Sequence, residues 1–371
     1  MGTMGNSQEK KINIIAQNAI EQHIFPGCAI LVSKDGKIIN EQYTGRLTYP
    51  SWSPPVSQNT VYDLASLTKP LATAAIFMAL VSDKAVKKTT TLASFYRCIS
   101  AEKRPITIKQ LLEHSSGLPA HKPYFKALST CPPDIAREKI VKWILEEPLC
   151  YQPGTQAVYS DLGYILLSDI ANKITGMPYK ESVARYIFSQ AGTKELKWGY
   201  KYPSRTHDTA PSEFCPYRKR VICRETHDMN AWVTGGVAGH AGLFGTAIEI
   251  FKLIKHIIDI MQKNKTDRYL KPDTISDFLN KNPKTGWTCG FDTPAPHNSA
   301  AGNLFSAFTI GHLGFTGTSF WHDIHNDITV VMLTNRTFPK ALREKATSIR
   351  QVRHEIHNAA AILAKHQTIS G

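Results

Sequence analysis

The chain has 371 residues, 42% of them hydrophobic, which is enough to bury a large core and too many for extensive disorder. Its formal charge of +14 is spread over short clusters such as Lys87-Lys88 and Arg218-Lys219-Arg220, with no nucleic-acid motif beside them. That pattern reads as a solvated basic surface, or a field drawing anionic small substrates toward a cleft, and argues against nucleic acid as a partner.

In chain order, the stretch before Ile12 is polar and lacks the apolar core of a signal peptide. No run of 18 apolar residues is seen that would span a membrane, so the expectation is a cytoplasmic protein without a membrane partner. The seven cysteines are odd in number and contain no CxxC pair, which argues against a disulfide framework or a zinc site and suits reduced thiols.

Ile12, Ile15, Ala16, Ala19 and Ile20 recur at helical spacing and predict an amphipathic helix over 8–23. Two apolar runs, 28–32 and 37–39, flank Asp35-Gly36 and predict a hairpin. A Pro- and Ser-rich loop follows at 50–55, and then a continuous apolar run, Leu71 to Val81, predicts a buried helix. Helical periodicity dominates the middle, over 108–114, 135–145, 162–174 and 248–261. The tail returns to strands at 305–310, 318–322 and 328–333, with a turn at 324–327, and ends in a helix bearing Ile349, Val352, Ile356, Ala360 and Leu363 on one face. Strand-rich ends enclosing a helical middle indicate an α/β or α+β architecture.

Ser66 and Lys69 are three apart at a helix start, so their side chains share a face. A serine hydroxyl becomes a useful nucleophile when a neighbouring base takes its proton, and a lysine does this when its pKa is lowered. Two other S-x-x-K matches begin at Ser7 and Ser100, but neither is followed by a buried apolar helix. Tyr159-Ser160-Asp161 precedes the helix from Leu162; Tyr159 is a candidate acid/base, and Asp161 a candidate N-cap, substrate contact or partner for Lys69. His312-Leu313-Gly314-Phe315 lies among the late strands, where Gly314 would let a substrate approach and His312 could donate to a substrate carboxylate or to Tyr159. His240-Ala241-Gly242 is a competing match to the same tripeptide.

Taken together and in this order, S-x-x-K, Y-S-D and H-L-G resemble the penicillin-binding-protein and class C β-lactamase superfamily. The stretches 106–118 and 235–244 resemble it too, and the likeness runs from the first hairpin to the last helix. The resemblance implies an antiparallel sheet flanked by helices, built from residues 1–82 and 284–371, with an all-helical domain inserted over 83–283. It further implies an acyl-enzyme on Ser66, proton transfer by Lys69 and Tyr159, and an oxyanion hole formed by the backbone N–H groups of Ser66 and Phe315. Asp161, His312 and Gly314 would meet the substrate, and no metal or other cofactor is implied.

Two departures redirect the reading. Asp161 stands where penicillin-recognising members usually carry an asparagine, and an ionised carboxylate cannot donate to an acylamide carbonyl. His312 replaces the usual β-lactamase lysine, as in peptidase and esterase branches. The expectation is an amidase or peptidase of small peptides or peptidoglycan fragments, with a carboxylesterase as the alternative. A β-lactamase and a catalytically silent binding protein rank behind these.

Overall fold

The apolar segments of the two chain ends pair with each other. In the computed structural model, which describes residues 2–194, 196–199, 208–263 and 265–367, β1 (Gly27–Lys34) and β2 (Lys37–Gly45) form the hairpin about Asp35-Gly36. From the other end come β3 (Thr309–Leu313), β4 (Ser319–Asp323) and β5 (Ile328–Thr334). The sheet order is β2-β1-β5-β4-β3, antiparallel throughout.

Central β1 and β5 are buried on both faces, which is why they read as unbroken apolar runs. Their alternate residues divide cleanly between two cores, as the two-residue period of a strand requires. Ile30, Val32, Val330 and Met332 pack beneath α1 (Gly2–Glu21) and the closing helix, α5 (Arg343–Gln367), with Ile12, Ile356 and Leu363. Ala29, Leu31, Val331 and Leu333 face the other way, into a core shared with Leu71, Leu253 and Ile257.

That second core contains the helix after Ser66. Lys69–Ala74 forms wide π-type turns that run directly into α2 (Ala75–Ser82). Pro70 sits in the first turn, where its missing N–H is not needed. By length and composition Ala65–Ser82 is apolar enough on average to cross a bilayer, although Ser66, Thr68, Lys69 and Thr73 interrupt the apolar run, and 83% of it is buried inside the protein. The middle of the chain contributes α3 (Asp161–Thr175), and α4 (Ala247–Lys263) lies against β1 and β5. Thus α4 belongs in packing to the sheet, although in chain order it falls within 83–283.

Two boundaries differ from those read in the sequence. The β3 strand starts at Thr309 rather than Phe305, because the N–H and hydroxyl of Ser306 both donate to the Asp323 carboxylate, at 2.7 and 2.6 Å, and turn the chain. Ser160, not Asp161, caps α3: its hydroxyl oxygen accepts the Gly163 N–H at 3.4 Å.

Candidate active site

Ser66 is placed by a short strand, Tyr62–Asp63, that pairs with Leu243–Gly245. The buried Asp63 carboxylate accepts the N–H groups of Ala65 at 2.8 Å and His227 at 2.7 Å. Ala65 is held at φ +48°, a left-handed conformation costly for a residue with a Cβ. The chain therefore turns sharply, and Ser66 begins the helix with its hydroxyl toward a cavity.

Lys69 is the hub of the site. Its side chain is wholly buried, and its three ammonium protons have three acceptors: Ser66 Oγ at 3.1 Å, Asp161 Oδ1 at 2.8 Å and the His240 carbonyl at 3.2 Å. Burial by itself would strip a proton from this group; the Asp161 carboxylate and Tyr159 outweigh it and raise the pKa above the ordinary lysine value. Asp161 shows the counterpart. Burial opposes its ionisation, but Lys69, His121 and His240 hold its carboxyl below the usual range. In the resting state Lys69 is thus a charged donor to Ser66, and the base expected from the sequence has to lose a proton first.

Tyr159 lies against this hub, with its ring centroid 4.6 Å from Lys69 Nζ. Burial raises its phenol pKa, while Lys69 and a hydrogen bond toward Ser66 pull the other way without cancelling the rise. The ring is braced by His114, Trp287 and His312, at centroid distances of 4.5, 5.9 and 6.0 Å.

The three residues expected to meet substrate separate here. Asp161 lines the cavity beside Ser66, but its carboxylate is engaged by Lys69 and, at 3.3 Å, by His121. His312 is 2% exposed and absent from the cavity wall. Its Nδ1 donates to the Leu313 carbonyl at 3.0 Å, leaving Nε2 a bare acceptor. Burial, with Lys69 nearby, lowers its pKa to about 3, so it is neutral and cannot supply charge to a substrate carboxylate. The strand that carries His312 buries its ring with the centroid 6.0 Å from that of Tyr159.

Gly314 acts through its lack of a side chain. Any Cβ there would collide with Thr318 Oγ1 and stand 2.8 Å from the Leu64 carbonyl. This close approach lets the Thr316 and Thr318 hydroxyls donate to the carbonyls of Asp63 at 2.7 Å and Leu64 at 3.1 Å. The end of β3 is therefore stitched to the segment entering Ser66, and Phe315 and Ser66 line the same cavity.

The cavity has a volume of about 380 Å³ and is walled by Ser66, Tyr159, Asp161 and Phe315 together with residues the sequence reading did not single out. Among these are Phe125, His121, Glu213, His227 and Asp228. Asp228 pairs with His240 at 2.8 Å and Glu213 with His227 at 3.1 Å. His240, the rejected tripeptide match, belongs to the site through its carbonyl on Lys69. A larger cavity of about 570 Å³, between Pro133, Asn172 and Tyr179, lies elsewhere and is lined by none of Ser66, Lys69, Tyr159 and Asp161.

Comparison with known proteins gives the family and the fold. The Beta-lactamase family profile matches residues 13–354. A protein of Escherichia coli K12, named provisionally as a D-alanyl-D-alanine carboxypeptidase, is 28% identical over 346 residues, covering 84% of this chain and 79% of that protein. Among solved structures, EstCE1, described as a hydrolase with promiscuous acyltransferase activity, superposes with a TM-score of 0.74 at 19% identity, over 96% of this chain and 99% of its own. The D-alanine carboxypeptidase AmpC of Burkholderia cenocepacia gives 0.70 at 16% identity, over 94% and 98%.

Proposed function

The chain belongs to the beta-lactamase family of serine hydrolases, and from that premise we propose that it hydrolyses small peptide amides through an acyl-enzyme on Ser66. The observation that carries the assignment is the hydrogen-bonded chain from Ser66 Oγ to the buried Lys69 Nζ to Asp161 Oδ1, 3.1 and 2.8 Å, opening on a cavity.

Chemically, Lys69 and Tyr159 act as one unit that must lose a proton before it can accept another. Once it has, Ser66 Oγ attacks the substrate carbonyl and passes its proton to the unit. The carbonyl oxygen becomes an oxyanion held by the Ser66 and Phe315 N–H groups. Collapse breaks the C–N bond, and the unit returns the proton to the leaving amine. A water molecule then repeats the sequence on the ester and restores the serine.

The cavity suits the end of a small molecule rather than a polymer. Its mouth holds His121, 45% exposed. The hydrogen bond to Asp161 raises its pKa above the ordinary imidazole value, so its protonated form is available to receive a terminal carboxylate. One observation favours an esterase instead: among the described residues no lysine or arginine lines the cavity to pair with such a carboxylate. The test is release of D-alanine from a short peptide ending in D-Ala-D-Ala, beside a short-chain aryl ester and a chromogenic cephalosporin. The proposal expects amide turnover that falls when His121 is replaced by alanine. Ester turnover without amide turnover would transfer the assignment to an esterase, and rapid turnover of the cephalosporin alone would refute both.

A further inference from the structure

We propose that Arg353, on the closing helix α5 and outside the cavity wall, is a positioning residue that fixes and polarises the oxyanion-binding peptide. The inference rests on the reading above, in which the Phe315 N–H is an oxyanion donor. Arg353 Nη2 donates to the carbonyls of Gly314 at 3.2 Å and Thr318 at 2.7 Å. The Gly314 carbonyl and the Phe315 N–H are the two ends of one planar peptide group. A cation on its oxygen sets the direction of the N–H and draws electron density from the nitrogen, making that N–H a stronger donor.

The energetics of the arginine point the same way. It is 5% exposed, its Nε has no partner, and among the described residues no carboxylate pairs with it. An uncompensated buried cation is costly, and a neutral side chain could tie two carbonyls with less penalty. Arg336, also 5% exposed, stands with its guanidinium 4.9 Å from the Phe315 ring centroid. Two cations thus back the β3–β4 turn that is stitched to the Ser66 segment. Their attraction for the reacting oxygen is weak while it is a neutral carbonyl and grows as it becomes an oxyanion, which is the differential stabilisation that accelerates a reaction.

The experiment compares wild type with Arg353→Met and Arg353→Gln, using an aryl ester and its thionoester, in which sulfur replaces the carbonyl oxygen and is a poorer hydrogen-bond acceptor. Thermal melting identifies which variants fold, and the glutamine variant carries the test where the methionine variant does not. The expected result is a fall in kcat of about 10- to 100-fold with KM within about threefold, and a loss of about tenfold in the oxygen-over-sulfur preference. A merely structural role would lower the melting temperature and the active fraction but leave that preference unmoved. A folded variant with wild-type kcat and preference would overturn the proposal. Labelling with a fluorophosphonate separates the two levels: absence of a Ser66 adduct in wild type removes the underlying reading, whereas a normal adduct with an unmoved preference removes Arg353 alone.

Discussion

Replacing Asp161 by asparagine keeps the shape of the side chain and removes its charge. At the observed 2.8 Å between Lys69 Nζ and Asp161 Oδ1, Coulomb attraction at an effective dielectric constant of ~20 amounts to about 6 kcal/mol. The amide oxygen can still accept from Lys69, but of the two influences that outweigh burial, the larger, the Asp161 charge, is then gone. Each 1.4 kcal/mol lost raises the neutral fraction of the lysine about tenfold at a given pH. Wild-type kcat/KM should climb with pH on the alkaline side, since both Lys69 and Tyr159 hold their protons above ordinary values. In Asp161→Asn that limb should move to lower pH, so that the ratio of kcat/KM at pH 7 to that at pH 9 rises about tenfold or more. Stability should change in parallel. The Asp161 carboxyl is depressed in the folded state, so its stabilisation is present above the unfolded pKa and is lost as pH falls through the folded one. At neutral pH the variant should therefore lose up to about 3–5 kcal/mol, less whatever Lys69 recovers by shedding its proton, and the loss should fade in acid. An unchanged pH–rate profile in a folded Asp161→Asn enzyme would refute this reasoning.

Three further changes test separate parts of the account. Tyr159→Phe keeps the ring between His114 and Trp287 and removes only the hydroxyl; kcat should fall about 10²- to 10⁴-fold with the melting curve nearly unmoved, and full activity would reassign the proton path. Gly314→Ala forces the end of β3 off the Leu64 carbonyl and should cost about 10²- to 10³-fold in kcat, measured by steady-state kinetics, as expected for a displaced oxyanion donor. Asp292, absent from the cavity wall and bridged through its backbone to Gly311, is raised by burial from 3.8 to about 6; its penalty appears as pH rises through that interval, so Asp292→Asn should stabilise the protein by up to about 3 kcal/mol at pH 7.5 and not at pH 4, read by denaturant melts.

The parts legible in the sequence are those whose signals are local. The unbroken apolar runs of β1 and β5, the Asp35-Gly36 turn and the apolar run behind Lys69 each follow from a few neighbouring residues, and together they define the sheet and the helix behind Ser66. The missed parts depend on distant partners. Nothing within the tripeptide at His312 tells that Tyr159 and Trp287 will cover it. His240 acts through a carbonyl, which leaves no mark on side-chain identity. Whether Ser160 or Asp161 caps α3 is a one-residue question of helix register, and the answer frees the Asp161 carboxylate to reach Lys69 from 92 positions away. The cavity wall of Glu213, His227 and Asp228 is anchored by the His227 N–H on Asp63, a contact spanning 164 residues. Arg353 reads in sequence as one more basic residue on an amphipathic helix; only its burial against the β3–β4 turn distinguishes it.

The central claim is that Ser66 is an activated nucleophile, and intact-mass spectrometry after fluorophosphonate treatment tests it most directly. Wild type should gain the mass of one adduct, and Ser66→Ala, with the same melting temperature, should gain none. Equal labelling of the two proteins, or an unlabelled wild type that still hydrolyses its substrate, would contradict the account.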